Sequence, residues 1–270
     1  MLKTKINTIL LCTLFTLFFP LSAGAQYRNP ILYADVPDMS VCRAGDYFYM
    51  VSTTMHLMPG APIMRSPDMK HWETISYVFP RIDDGPRYDL LEGSTGQLTE
   101  LKTDLTDVLP GGINQQIFER DADEQGLLEG SSVIKYNGKY YLLMISMDWS
   151  IPGRLRREVC YRADKITGPY EKRVILETEF DGHGGVGQGC IVDGKNGEWY
   201  GLIFQDRGGV GRVPCLMPCT WTEDGWPMLG DKDGHIPNDT TLSYMSMDGI
   251  CGSDDFSASG LSLYWQWNHN

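Results

Sequence analysis

Short apolar and aromatic runs recur along the chain, set apart by Gly, Pro, Asn and Asp. No long stretch carries the 3.6-residue period of an amphipathic helix, so the pattern predicts an all-β chain. Three runs share one layout: Gly45-Asp46-Tyr47-Phe48-Tyr49-Met50-Val51-Ser52, Asn137-Gly138-Lys139-Tyr140-Tyr141-Leu142-Leu143-Met144 and Asn196-Gly197-Glu198-Trp199-Tyr200-Gly201-Leu202-Ile203. Each sets a glycine turn ahead of an aromatic pair and an apolar strand. Two have a matching sequel, Ser66-Pro67-Asp68-Met69-Lys70-His71-Trp72 and Ala163-Asp164-Lys165-Ile166-Thr167-Gly168-Pro169-Tyr170, in which an Asp turn leads to an aromatic. Strands followed by such a turn read as a four-stranded blade, and repetition of the unit predicts a β-propeller. Generic hairpin chemistry is the competing reading of each run taken alone.

The spacing of the units is uneven. Gly45 and Gly138 are 93 residues apart, Gly138 and Gly197 only 59. A blade takes about 40–50 residues, so the longer interval should hold another aromatic strand. None stands between Arg87 and Gln116. Leu98-Thr99-Glu100-Leu101 and Asp104 to Gly111 read instead like the last strand of a blade without its first three. The expectation is an incomplete propeller with about four recognisable blades and a gap after Gln97.

The ends add compartment and extent. Lys3 and Lys5, an apolar run from Ile9 to Phe19 and the small residues Ala23-Gly24-Ala25 have the three-part layout of a secretory leader. The run falls short of the roughly 20 residues of a membrane span. Residues 1–25 are thus expected to be removed, giving a secreted or periplasmic chain without a membrane span that begins at Gln26. At the other end, Ser262 to Trp267 has the period-2 pattern of a strand and only three residues after it, like the start of a further domain cut short. The formal net charge of −12 disfavours nucleic acid and anionic lipid as partners but carries no penalty for a neutral substrate. Six cysteines follow the leader, and Cys215 and Cys219 lack a second pair or nearby histidines at zinc-ligand spacing. Buried thiols are the expectation for most of them.

Two carboxylates are candidates for chemistry. Asp38 ends the loop Asn29-Pro30-Ile31-Leu32-Tyr33-Ala34-Asp35-Val36-Pro37-Asp38, where a proline-stiffened backbone suits a general base held near a water. An Asx turn capping the strand explains the same residue. Glu129, in Leu127-Leu128-Glu129-Gly130, has the apolar surroundings that suit a general acid, or it is an ordinary loop carboxylate. His183 and Arg212 lie in the glycine-rich segments Asp181 to Gly185 and Gly208 to Arg212, which lack the Lys-Ser/Thr ending of a phosphate loop. No metal-ligand motif and no G-x-S-x-G elbow is present.

Taken in order, NPILYADVPDMSV, GDYFYMVSTTMHLMPGAPIMRSPDMKHWE, LLEGSSVIKYNGKYYLLM and GRVPCLMPCTWTEDGWPMLG resemble glycoside hydrolase family 43, which includes β-xylosidases and α-L-arabinofuranosidases. The resemblance runs from Asn29 to about Asn270. It implies a five-bladed propeller over residues 26–257 and the first strand of a truncated β-sandwich over 258–270. It further implies an inverting glycosidase acting on xylose- or arabinose-containing oligosaccharides or polysaccharides, with Asp38 as general base and Glu129 as general acid. The two carboxyls would stand roughly 6.5–9.5 Å apart. His183 and Arg212 match the family's funnel histidine and the arginine that contacts carboxylate or substrate. No cofactor is required; a funnel calcium ion is compatible, and nothing in the residues specifies one. The family's third carboxylate and its Trp-Ala-Pro segment have no counterpart here. The resemblance therefore implies either an enzyme weakened by the missing segment or a non-catalytic carbohydrate-binding remnant.

Overall fold

The computed structural model describes residues 25–55, 57–79, 96–100, 109–242, 257, 263 and 265–268. Within them the chain is all-β apart from two 3₁₀ turns, Ala122–Glu124 and Gly208–Val210. Three antiparallel four-stranded sheets form its body, each an up-and-down meander. The first blade comprises Ser40–Ala44, Tyr47–Val51, Gly60–Ser66 and Glu73–Phe79. The second comprises Leu127–Tyr136, Lys139–Met147, Arg157–Ala163 and Glu171–Leu176, and the third Val186–Asp193, Trp199–Asp206, Arg212–Trp221 and Pro227–Leu229. The three glycine–aromatic runs are the second strands of these blades. In the first blade the expected Asp turn is built around the buried Asp68, whose Oδ1 accepts from the Lys70 and His71 amides, while the Trp72 indole donates to Met69 O.

Burial shows how the blades stand against one another. Tyr141 to Ser146 and Tyr200 to Gln205 are buried without interruption, as strands are when both faces of their sheet are covered. In the third blade alternate residues serve different neighbours, as the two-residue period of a strand requires. Cys190, Val192, Leu202, Phe204 and Leu216 pack with Phe48, Met50 and Trp72 of the first blade. Ile191, Ile203, Cys215 and Met217 pack with Tyr141, Leu143 and Cys160 of the second. The third blade thus stands between the other two. The first blade's second strand alternates between buried and more exposed positions, and Val51, Ile75 and Val78 are exposed. Among the described residues no further four-stranded sheet covers that blade's far side.

The remaining pieces are short. Gly96–Thr99 pairs with Asn114–Phe118, and Phe118 stacks on Tyr161 of the second blade with ring centroids 4.2 Å apart. This two-stranded ladder occupies the interval where the sequence predicts a blade remnant. Its second strand begins after the expected Asp104 to Gly111 segment, of which residues 104–108 lie outside the described residues and Pro110 and Gly111 form a turn. The polar Asn114-Gln115-Gln116 hides the strand from a search for apolar runs, since only Ile117 and Phe118 anchor it.

Ala25–Arg28 pairs with Asp239–Leu242; the rest of the expected leader lies outside the described residues. Trp267–Asn268 pairs with Leu57–Met58, in the first blade's connection between its second and third strands. Most of the expected sandwich strand, like Cys251, lies outside the described residues. Cys160, Cys190, Cys215 and Cys219 are buried free thiols, and Cys42 is exposed. No helix among the described residues is long and apolar enough to cross a membrane.

Candidate functional site

The loop that carries Asp38 is laid along the third blade. Asn29 is buried, its Nδ2 donating to Leu216 O and Pro237 O while its Oδ1 accepts from Leu216 N. Ile31 N donates to Pro214 O, and Val36 N to Arg212 O at 2.8 Å. Asp35 Oδ1 accepts from Arg212 N at 2.8 Å. The loop therefore arrives fixed at Arg212, and Asp38 forms an ion pair with that guanidinium. Asp38 has φ +54°, a left-handed conformation that aspartate tolerates better than most residues. The rigid presentation inferred from the prolines is achieved here by hydrogen bonds to the third blade.

Glu129 occupies the third position of the second blade's first strand and is exposed. It pairs with Ile145, past a register shift between Leu143 and Ile145 that centres on Gly130 at φ +66°. Bulges of this kind re-aim a side chain at the end of a strand. Gly130 is needed there for a second reason: a Cβ would lie 2.4 Å from Cδ of Gln188. Gln188, itself at φ +65°, donates its N–H to Glu158 Oε2 at 2.6 Å. Glu158 is fully buried opposite Ile145 on the strand Arg157–Ala163, and its Oε1 has no hydrogen-bond partner among the described residues. Burial pushes its carboxyl up to about 8, against the pull of the Gln188 amide.

The strand that follows Asp38 and the strand that carries Glu129 both border Val186–Asp193. Val41 N donates to Cys190 Sγ on one side, and Gly130 meets Gln188 on the other. Asp38 and Glu129 therefore stand at the same end of two blades that flank a third. The loop leading into that strand carries His183, which is exposed. Its backbone pairs with Phe180, and its carbonyl accepts from the buried Gln205 side chain at 2.7 Å.

A chain of alternating charge completes this end. Arg212 pairs with Asp38 and, through Nε, with Asp206 Oδ1 at 3.5 Å, while its guanidinium lies 4.6 Å from the centroid of Phe204. Asp206 pairs in turn with Arg156, whose Nη1 also reaches Gly185 O two residues past His183. The structure thus joins Asp38 to Arg212 directly, places His183 two residues from the chain's far end, and sets Glu129 at the same level. Sequence reasoning missed Arg156, Asp206, Glu158 and Gln188. The charged Arg156-Arg157-Glu158 opening an otherwise apolar strand was the available signal.

Among the described residues one cluster has three potential cation ligands, Asp121, Asp123 and Glu124, between the ladder and the second blade. Lys172 Nζ already pairs with all three, at 2.6, 2.9 and 3.2 Å. A cavity of about 520 Å³ beside Trp199 and Trp221 contains none of the four candidate residues.

The sequence pattern of glycosyl hydrolases family 43 matches residues 27–86 and 82–227. The chain belongs to this family. The two matched segments meet at residues 82–86, upstream of Gln97, where the sequence reading sets the gap. The β-xylosidase of Formosa agariphila is 25% identical over 350 residues, taking in 90% of this chain and 58% of that protein. The non-reducing-end α-L-arabinofuranosidase BoGH43B of Bacteroides ovatus is 25% identical over 334 residues, 92% of this chain and 62% of its own length. Both alignments are longer than the 270-residue chain, so they open gaps where the relatives have residues that it lacks. The chain spans about three-fifths of the length of these curated relatives. Among solved structures, a bifunctional GH43-CE protein of Bacteroides eggerthii superposes with a TM-score of 0.75 at 31% identity, over 92% of this chain and 42% of that one. An engineered GH43 glycoside hydrolase displaying endo-xylanase and exo-arabinofuranosidase activity gives 0.74 at 24%, over 91% and 63%. The family-43 fold is a five-bladed propeller, of which this chain holds an incomplete version.

Proposed function

We propose that this family-43 chain hydrolyses xylose- or arabinose-containing glycans by inversion, with turnover lowered by the missing arc. The observation that carries the reading is the placement of Asp38 and Glu129 at one end of two blades that flank Val186–Asp193. Asp38 takes a proton from a water whose oxygen forms the new bond to the anomeric carbon. As the glycosidic C–O bond breaks, Glu129 gives its proton to the leaving oxygen. Arg212 keeps the base in place, and His183 borders the sugar. Loss of a blade admits water to the centre and weakens the electrostatics on which both steps rely.

The chain should therefore release sugar from aryl β-xylosides or α-L-arabinofuranosides slowly, with the newly freed anomer inverted by proton NMR. A retained anomer would refute the mechanism. The exposed Val51, Ile75 and Val78 favour a second reading, a carbohydrate-binding remnant without catalysis. Oligosaccharide binding with no release of sugar at any enzyme concentration would select it.

Export belongs to the same proposal, because a polysaccharide cannot be met inside the cell that must degrade it. The layout of residues 1–25 supports cleavage before Gln26. Mass spectrometry of exported protein should give a chain starting at Gln26, and one starting at Met1 would reject the leader.

A further inference from the structure

We infer that Trp149 is a stacking platform for a sugar ring of an extended xylose- or arabinose-based chain, away from the cleaved bond; the inference rests on the glycan-directed reading above. Trp149 lies in the connection between Lys139–Met147 and Arg157–Ala163, at the end of the second blade where Glu129 stands. Its side chain is conspicuous for exposure, at 67%. The backbone around it is fixed. Asp148 is buried, and its Oδ1 accepts from Ser150 N at 2.9 Å and from Ser150 Oγ at 2.6 Å. Ile151 N donates to Asp148 O and Arg154 N to Ile151 O, continuing the turn.

The indole is also backed from below. A Cβ at Gly126 would fall 2.3–2.6 Å from Trp149 Cγ, Cδ1 and Cδ2, so the ring rests on the bare backbone of that glycine. Gly126 is itself tied down, its N–H donating to Met147 O at 3.0 Å. One part of the ring therefore has a rigid seat and the rest meets solvent. A large aromatic held rigid and left wet presents an apolar face at little cost in lost rotamers on binding. The C–H face of a neutral pyranose or furanose ring fits such a surface, and the acidic chain puts no charge penalty on it.

Position sets the subsite. Gly126 immediately precedes the strand Leu127–Tyr136 and lies three residues before Glu129, a backbone separation of up to roughly 10 Å. That separation is spanned by a chain of sugar rings and not by the ring at the cleaved bond. Trp149 should hence matter for oligosaccharides and be silent for single sugars.

Calorimetric titration of the purified chain with linear xylotetraose and arabinotetraose, and with xylose and arabinose, tests this. W149A should weaken tetrasaccharide binding about tenfold, equivalent to ~1.4 kcal/mol, and leave monosaccharide binding unchanged. W149F should retain most of the affinity. Gly126→Ala keeps the indole but unseats it, and should reproduce the W149A loss; thermal melting of each variant reports that the fold is kept. Equal tetrasaccharide affinity in W149A and the parent would overturn the platform while leaving glycan binding intact. A parent that binds neither class of sugar would overturn the glycan-directed reading and the platform with it.

Discussion

Asp38→Asn and Glu129→Gln should each lower hydrolysis by about 10²–10⁴-fold, the usual contribution of a positioned acid or base. The two losses should differ in a way that assigns the roles. A nitrophenyl leaving group departs without much help from an acid, so Glu129→Gln should be far milder on it than on an unactivated oligosaccharide. Asp38→Asn should be equally severe on both, because the attacking water must be activated whatever leaves. Glu129 is exposed, and its loss costs the fold little. Asp38 shares Arg212 with Asp206, so the guanidinium keeps a carboxylate partner after the change. Side-by-side rates on the two substrates, with melting temperatures as control, decide the matter. Parental turnover in both variants would remove these carboxylates from the chemistry.

Arg212 explains why Asp38 was legible and its surroundings were not. The loop from Asn29 to Asp38 is a continuous motif whose prolines and paired acids are visible in one window. Its anchor is a residue 174 positions away, and Asp206 and Arg156 join only because the third blade's strands Trp199–Asp206 and Arg212–Trp221 lie side by side against the second blade. Local pattern carries no such information. The same division runs through the fold. The aromatic second strands announced themselves because each is buried on at least one face and needs apolar bulk. The strand Asn114–Phe118 did not, since it is an edge held by two side chains. Gln188 could not have been found from sequence, because a glutamine at positive φ breaks the expectation that glycine takes such positions. Leu128 beside Glu129 is buried, while the alternation of the strand leaves Glu129 itself exposed.

Glu158→Gln should make the fold more stable at alkaline pH, by an amount that vanishes toward acid. The buried carboxyl titrates near 8 in the folded chain, against roughly 4.3 for an ordinary glutamate in the unfolded one. Below the lower value it is protonated in both states and contributes no pH dependence. Between the two values the unfolded chain gives up a proton that the folded chain keeps, so stability falls as pH rises. Above about 8 the folded carboxyl is ionised as well, and the whole cost of a buried charge is present. The interval corresponds to on the order of 4–5 kcal/mol. Glutamine stays neutral throughout and keeps an oxygen to accept the Gln188 N–H, so its stability relative to the parent should climb between pH 5 and pH 9. Urea denaturation at several pH values measures that difference. Carboxylates held below their usual range, such as Asp148 by the Ser150 hydroxyl and Asp231 by the His235 amide, lose their contribution toward acid in both proteins alike, so they cancel. Parallel curves would mean that Glu158 reaches water in the folded state. Gln188 would then lack the buried anchor that sets its side chain against Gly130, and the bulge beside Glu129 would be held by the pairing with Lys139–Met147.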